Sequence, residues 1–411
     1  MKKFETDEMP QMETFKRDSH DVQQPASMSR NMALLFAVSC GLSVANIYYA
    51  QPLLDTIADE FGIAHSSIGI VITITQICYA LGLLLLVPLG DILNRRWLIP
   101  GQMLLSVLAL VGIGLAPTAG MLFTGLAIVG LLAVVTQTMV AYAANLAAPT
   151  DRGRTVGLVT SGVVIGILLA RTTAGVLTDL AGWRSVYLFS AACMLVISFT
   201  LIRTLPLDVQ RNVPISYFQL LRSVLVLFRE ERILRIRSVL GLLIFTAFSI
   251  LWTSLVLPLS MPPLSLSHSI IGAFGLAGVA GALAATRAGR LADRGLGQKT
   301  TGIALLLLLI SWLPISYTER SLTALVTGII LLDLAVQAVH VTNQSMILSV
   351  RPEARSRLTA TYMIFYSIGS ATGSIASTSI YKYAGWNGVC LLGAAVSALA
   401  LLFWGVTRRL S

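Results

Sequence analysis

The sequence predicts an all-α polytopic membrane protein of about twelve transmembrane helices, arranged as two pseudo-symmetric bundles of six. Three observations carry this: an apolar composition, a regular supply of span-length apolar stretches, and a repeat at constant offset. Over 411 residues, 55% are hydrophobic and only 12% charged, and the mean hydropathy is +0.80. Such a chain cannot cover a water-soluble surface and belongs in a bilayer.

A hydrocarbon core about 30 Å thick needs roughly 20 apolar residues per helix. Stretches of that kind lie near 31–56, 67–90, 97–116, 120–147, 155–178, 184–204, 239–260, 268–288, 299–317, 321–349, 357–381 and 388–407. Residues 1–30 are polar and mixed in charge, without an apolar core and small-residue cleavage site, and are expected to form a cytoplasmic tail. The basic residues set the orientation. By these spans 25 of the 29 Lys and Arg fall on the side of the termini, and only Arg184, Arg320 and Lys382 on the other, with Arg171 inside a span. The termini are therefore expected in the cytoplasm of a bacterial cell, with the chain in its inner membrane. The same distribution explains the net charge of +10 without any nucleic-acid partner. Cys40, Cys78, Cys193 and Cys390 all fall in predicted spans without CxxC spacing, so they are read as small hydrophobes.

Residues 205–237 interrupt the apolar pattern with "SYFQLLRSVLVLFREERILRIR". This segment is expected to join a half at 31–204 to a half at 238–411, either as an amphipathic helix on the inner surface or as a solvated linker. The halves align at an offset of 203. Ala181-Gly182-Trp183 falls on Ala384-Gly385-Trp386, and Pro149, Arg152 and Arg154 fall on Pro352, Arg355 and Arg357. Ser43, Asn46 and Tyr49 fall on Thr246, Ser249 and Trp252, while Gly166 and Ala170 fall on Gly369 and Gly373. One offset recurring from the first span to the sixth implies a tandem duplication.

Two loops then carry a family resemblance. "VPLGDILNRRW" after the second span resembles the major facilitator signature G-x-x-x-D-[RK]-x-G-[RK]-[RK], and "GRLADRGLGQK" after the eighth resembles its second copy. "NIYYAQPLL" (Asn46 to Leu54) and "ILLAR" (Ile167 to Arg171) look like segments of a subgroup of bacterial drug-efflux-like members. The resemblance covers about residues 31–407 and implies the major facilitator fold with transport of a small molecule. A carboxylate at a helix end followed by basic residues can bridge to the opposite half and hold one conformation. Asp91 with Arg95 and Arg96, and Gly289 with Asp293 and Arg294, are the candidate latches. The first copy has Val87, Ile92 and Asn94 where the signature has Gly, a basic residue and Gly. The fourth-span motif R-x-x-Q-G retains only Gly130, and Ala170-Arg171 stands where drug exporters have Gly-Pro.

Polar residues three or four apart share a helix face. Asp333, Gln337 and His340 are so spaced in the tenth span. Asn46 and Tyr49 in the first, Gln137 in the fourth, and Thr246, Ser249 and Trp252 in the seventh complete a candidate substrate and proton pathway; the competing role is hydrogen-bonding glue between helices. Arg171 is the unusual residue. Counting about 1.5 Å per residue, it lies ~24 Å from Thr155 and ~12 Å short of Asp179, in the outer half of the membrane. It must be paired, hydrated or snorkelled. Asp333 is the first candidate partner and proton carrier; Asp55 is the second.

The expected function is secondary active transport of a small organic solute by alternating access, with proton-coupled efflux favoured. An uptake symporter or facilitator is the alternative within the class, and a non-transporting receptor or decayed paralogue the alternative outside it. No G-x-x-x-x-G-K-[ST] phosphate loop occurs, which excludes ATP hydrolysis by this chain as the drive. No catalytic constellation or metal-ligand spacing points to an enzyme, no cofactor is implied, and a monomer surrounded by lipid is expected.

Overall fold

The computed structural model describes residues 28–147, 151–206, 217–279, 281, 287–288, 291–351 and 354–409, and for Asp91, Arg152, Ala292, Asp293, Arg355 and Ser356 only the backbone. Among the described residues all regular structure is helical. Nine helical runs are long and apolar enough to cross a membrane. The last contains Gly385, whose φ of 56° and ψ of −156° break the helix, so that run makes two crossings. Two shorter apolar helices bring the described crossings to twelve.

In chain order the crossings are α1 (Arg30–Phe61), α2 (Ile70–Leu85), α3 (Arg95–Gly114) and α4 (Ala119–Leu146). Then come α5 (Arg152–Ala181), α6 (Trp183–Thr204), α7 (Arg232–Ser260) and α8 (His268–Gly278). The series closes with α9 (Gly297–Ser316), α10 (Leu322–Leu348), and α11 and α12 on the two sides of Gly385 within Arg355–Thr407. Ser29, Asn94, Thr118, Ser267 and Ser321 cap helix starts by accepting a backbone N–H, which satisfies donors that have no carbonyl partner in the first turn. An even number of crossings puts Arg30 and Arg408 at one end of the bundle, called here the terminal end; the other is the distal end.

The offset seen in the sequence reappears in the backbone. Gly182 and Gly385 both take positive φ between consecutive crossings, and so do Gly62 and Ser265; each pair is 203 residues apart. The first helix of each half also breaks near its distal end. In α1 a short 3-10 turn at Gln51–Leu53 follows Tyr49, with Pro52 at its start, where a ring without an N–H interrupts the helix ladder. In α7 the break is at Leu255, the position equivalent to Pro52.

Each of these helices is crossed closely by a glycine-bearing neighbour. A Cβ built on Gly162 or Gly166 of α5 would lie 2.1 Å from the Ala37 carbonyl oxygen and 2.2 Å from that of Gly41 in α1. On Gly369 and Gly373 of α11 it would lie 2.2 Å from the Leu242 oxygen and 2.4 Å from the Thr246 oxygen in α7. Bare backbone at these positions lets the helices touch, the packing favoured where no hydrophobic effect acts between helices.

Between α6 and α7 the Tyr217–Glu230 segment is a helix, not a solvated linker. Leu220, Val224 and Leu227 are buried on the protein side, while Phe218 and Leu225 are 77% and 64% exposed. Phe228 stacks on Phe365 of α11 with ring centroids 4.9 Å apart. The start of α7 corrects the expectation for the segment before it: the helix begins at Arg232, and Arg237, expected in a surface loop, is fully buried. Its guanidinium donates to Thr301 Oγ1 at 3.1 Å and Asn343 Oδ1 at 3.3 Å. Residues 1–27 of the tail, the 207–216 stretch and Gly289 lie outside the described residues.

The α1–α5 contact generates a prediction. Gly162→Ala should lower unfolding stability by roughly 1–3 kcal/mol through overpacking, read as an earlier thermal transition of purified protein. Gly153→Ala in the same helix, where an added Cβ meets nothing within 4 Å, should leave the transition unchanged or raise it. Equal behaviour of the two variants would contradict the close crossing.

Candidate functional site

The two segments singled out by sequence, 46–54 and 167–171, meet in the structure. Arg171 is 2% exposed, and its Nε donates to Gln51 Oε1 at 2.7 Å. The 3-10 turn at Pro52 aims Gln51 across to α5. The guanidinium carbon lies 3.7 Å from the centroid of the Trp252 ring in α7, with Tyr48 at 5.4 Å and Phe248 at 5.5 Å. Arg171 thus sits in an aromatic box supplied by α1 and α7. A cation over an indole face, away from water, gains about 2 kcal/mol, comparable to the ~2.5–3.5 kcal/mol that insertion of an unpaired basic residue costs.

Asp333 is 4% exposed and accepts the Trp252 indole N–H at 3.2 Å. Trp252 therefore presents its face to the cation and its N–H to the anion. Arg171 and Asp333 form no ion pair within 4.0 Å of each other, so the direct pairing expected from depth is replaced by an indole bridge. The second candidate partner, Asp55, is engaged elsewhere, by His268.

α8 and the residue Gly281 just past it fit against this cluster through a row of glycines. A Cβ on Gly272 would lie 2.3 Å from the Arg171 carbonyl oxygen, on Gly275 3.1 Å from Arg171 Cβ, on Gly278 2.8 Å from Asp333 Oδ2, and on Gly281 2.9 Å from the Asp333 carbonyl oxygen. The spacing of three matches the 3-10 turn at Phe274–Gly278, where residues three apart eclipse. Any side chain there would push α8 away from both charges.

The distal end is closed by cross-half contacts. His268, at the start of α8, places Nε2 3.2 Å from Asp55 Oδ1 and 2.9 Å from Thr56 Oγ1 in α1, and Nδ1 3.2 Å from Asp179 Oδ1 in α5. Both ring nitrogens face carboxylates, a pattern only an imidazolium fully satisfies. Asp179 also accepts the backbone N–H of His268 at 3.2 Å and of Ser269 at 2.8 Å, so it caps a helix of the other half. Thr172 donates to the Gly272 carbonyl at 3.1 Å. A second seam joins α2 to α11, where Thr73 donates to the Ala371 carbonyl at 3.0 Å. Nearer the centre, Tyr48 and Tyr366 share a hydrogen bond between the halves.

Toward the terminal end the halves are separated by a cavity of about 170 Å³ whose walls include Leu83, Arg95, Gln137, Leu348 and Thr359. Gln137 is the predicted pathway residue on this wall, and it donates to Tyr79 at 3.4 Å. Of the latch residues, Arg95 donates to the Gly90 carbonyl at 2.6 Å, Arg96 lies 5.9 Å from the Trp97 ring, and Arg294 is exposed. The side chains of Asp91 and Asp293, and all of Gly289, lie outside the described residues.

Several predicted pathway residues face away from the seam. Asn46 accepts from Ser190 of α6 at 2.6 Å, and Tyr49 packs edge-on against Tyr187 of the same helix. Ser249 bonds Ser374 of α11 at 3.1 Å, and Thr246 donates to the Leu242 carbonyl of its own helix. In this conformation Asn46, Tyr49 and Ser249 hold helices together within one half, and the Thr246 hydroxyl is spent on its own helix. His340 bonds Tyr362 of α11 at 2.9 Å and stands edge-on to Phe245 of α7, while Gln337 is half-buried beside Gly281. Sequence reasoning missed Tyr48, Gln51, Tyr366 and His268. The first two lay inside "NIYYAQPLL"; for His268, at a helix start, no spacing signal existed. Among the described residues no group of His, Cys, Asp and Glu could hold a metal ion.

Comparisons with known proteins agree with this architecture. The family profile described as Major Facilitator Superfamily matches residues 34–297 and again 238–410. The Uncharacterized transporter YgaY of Escherichia coli O157:H7 is 47% identical over 377 residues, covering 92% of this chain and 95% of that one. The Multidrug resistance protein MdtG of Escherichia coli O17:K52:H18 is 26% identical over 407 residues, covering 94% and 96%. Among solved structures, a bacterial homologue of the human lysosomal transporter Spinster, inward-facing and unoccupied, has a TM-score of 0.76 at 14% identity, covering 92% of this chain and 96% of that one.

The indole bridge predicts unequal costs for two substitutions. Trp252→Phe keeps a ring against Arg171 and loses the N–H to Asp333, whereas Trp252→Leu loses both. Thermal unfolding should show the Leu variant less stable than the Phe variant by about 1–2 kcal/mol. Equal losses would show that the stacked face contributes nothing.

Proposed function

We propose that this chain, which belongs to the Major Facilitator Superfamily and is a multi-pass membrane transporter, exports a small organic solute from the bacterial cytoplasm by proton-coupled alternating access. The observation that carries the reading is the position of the charges. Arg171 of the first half reaches Asp333 of the second only through Trp252, directly beneath a distal end that cross-half contacts hold shut. Opening that end must part α5 from α8 and move the guanidinium relative to the indole and the carboxylate. A proton on Asp333 cancels its attraction to Arg171, so the charge state of one group biases the conformational equilibrium. Asp333 is the proton carrier in this reading.

The other finer assignments have separate support. The basic residues gathered at the terminal end favour cytoplasmic termini and an inner-membrane location, so the cavity of Gln137 and Thr359 faces the cytoplasm. Export is supported by the similarity to a relative named for multidrug resistance. One copy of the chain suffices, because both seams and the charge cluster lie within it.

The test uses purified protein in sealed liposomes, a panel of metabolites and drugs, and an imposed pH gradient of either sign. At least one solute should move against its gradient when the pH gradient drives export. Asp333→Asn should lose this accumulation at least tenfold while retaining solute-for-solute exchange, which needs no net proton movement. An Asp333→Asn variant that accumulates solute at the parental rate would remove the proton-carrier role, and accumulation only with the opposite gradient would make the protein an uptake symporter.

A further inference from the structure

We propose that the Arg171 pocket binds the carboxylate of a monoanionic organic solute with a flat, apolar body. The inference rests on the transport reading for its setting and narrows that reading to one substrate class. It starts from an unused donor. Nη2 of Arg171 is buried and has no hydrogen-bond partner, while Nε is spent on Gln51.

The carboxylates of the neighbourhood are otherwise engaged. Asp333 receives the Trp252 indole N–H, and Asp55 and Asp179 face the two nitrogens of His268. The guanidinium therefore keeps an edge for a group that does not belong to the protein, and a planar fork of donors matches a carboxylate better than any other small organic anion group. Arg171 also lines a small cavity of about 10 Å³, together with Gln51, Pro52, Trp252, Leu255 and Ile271 among others. Arg171, Gln51 and Pro52 come from the first half and the rest from the second, so the cavity lies on the seam and widens when the halves part.

Charge and surface then define the solute. A cation is repelled by the guanidinium. A dianion meets the negative charge of Asp333 at the N–H edge of the Trp252 indole, which leaves a single negative charge as the match. Trp252, Leu255 and Ile271 line the cavity on the side of the second half, and an indole with aliphatic side chains beside it accepts a flat apolar body. The amide oxygen of Gln51 fixes the guanidinium plane and so the direction from which the carboxylate arrives.

The experiment measures binding to purified protein in nanodiscs by tryptophan fluorescence, with benzoate, its neutral isostere benzamide and its cationic counterpart benzylamine. Phenylacetate and salicylate serve as further monocarboxylates. Monocarboxylates should bind at least tenfold more tightly than benzamide, and benzylamine should not bind. Arg171→Gln should abolish the preference for benzoate over benzamide. Arg171→Lys should keep the preference with weaker affinity, since the charge remains while the fork is lost; it also decides the matter if the Gln variant does not fold. Benzamide binding as tightly as benzoate, a preference that survives Arg171→Gln, or failure of every monocarboxylate to bind would overturn the proposal. Binding of benzoate through Arg171 without movement across liposomes would reject transport and keep the anion site. Transport of a neutral solute with no monocarboxylate bound would do the reverse.

Discussion

A guanidinium placed in the apolar interior of a membrane bundle must find compensation within reach of one side chain, and the arrangement around Arg171 is the answer this chain gives. Water is excluded, since the residue is 2% exposed, and no carboxylate pairs with it directly. The compensation is distributed instead over an amide oxygen, three aromatic faces and the field of Asp333 beyond an indole. Stacking is less directional than a bidentate salt bridge and needs less geometric change to release. A contact of that kind suits a seam that has to open and close, because a buried ion pair broken on one side leaves an uncompensated charge.

The rest of the bundle supports this seam. Within each half, glycines 162 and 166 or 369 and 373 bring helices into backbone contact, and bonds such as Asn46 with Ser190 and Ser249 with Ser374 fasten neighbours together. Between halves, glycines again bring backbones together, as Gly272 meets Arg171 and Gly69 meets Ser374, and polar bonds of His268, Thr172 and Thr73 are added at the distal end.

Much of this was legible in the sequence, and the failures have physical causes. Hydropathy marks where helices cross, because lipid forces every backbone polar group into helix, and the offset of 203 shows up again as paired positive-φ turns at Gly182 and Gly385. The singularity of Arg171 was visible because charge in an apolar stretch is expensive. Its partners were less so. A three-to-four spacing tells which residues share a helix face but not which neighbour that face meets, so Asn46, Tyr49 and Ser249, placed in the pathway by polarity, meet helices of their own half in this conformation. Arg237 was assigned to a loop because its arginine-rich surroundings hid the start of α7, and its partners Thr301 and Asn343 come from α9 and α10. The glycine row of α8 carries the period of a 3-10 turn, which helical periodicity at 3.6 does not reveal.

The central claim is that contacts around Arg171 and His268 hold the distal end shut in this conformation and part when the transporter turns over. Pulsed electron paramagnetic resonance between spin labels at Leu115 and Tyr383, exposed residues near the distal ends of α3 and α11, reads that separation directly in nanodiscs. The parental protein should show a dominant short-distance population, and removing the two contacts together by Arg171→Ala with His268→Ala should move most of it to longer distances. A distance distribution unchanged by the double substitution, in protein that still folds, would contradict the account.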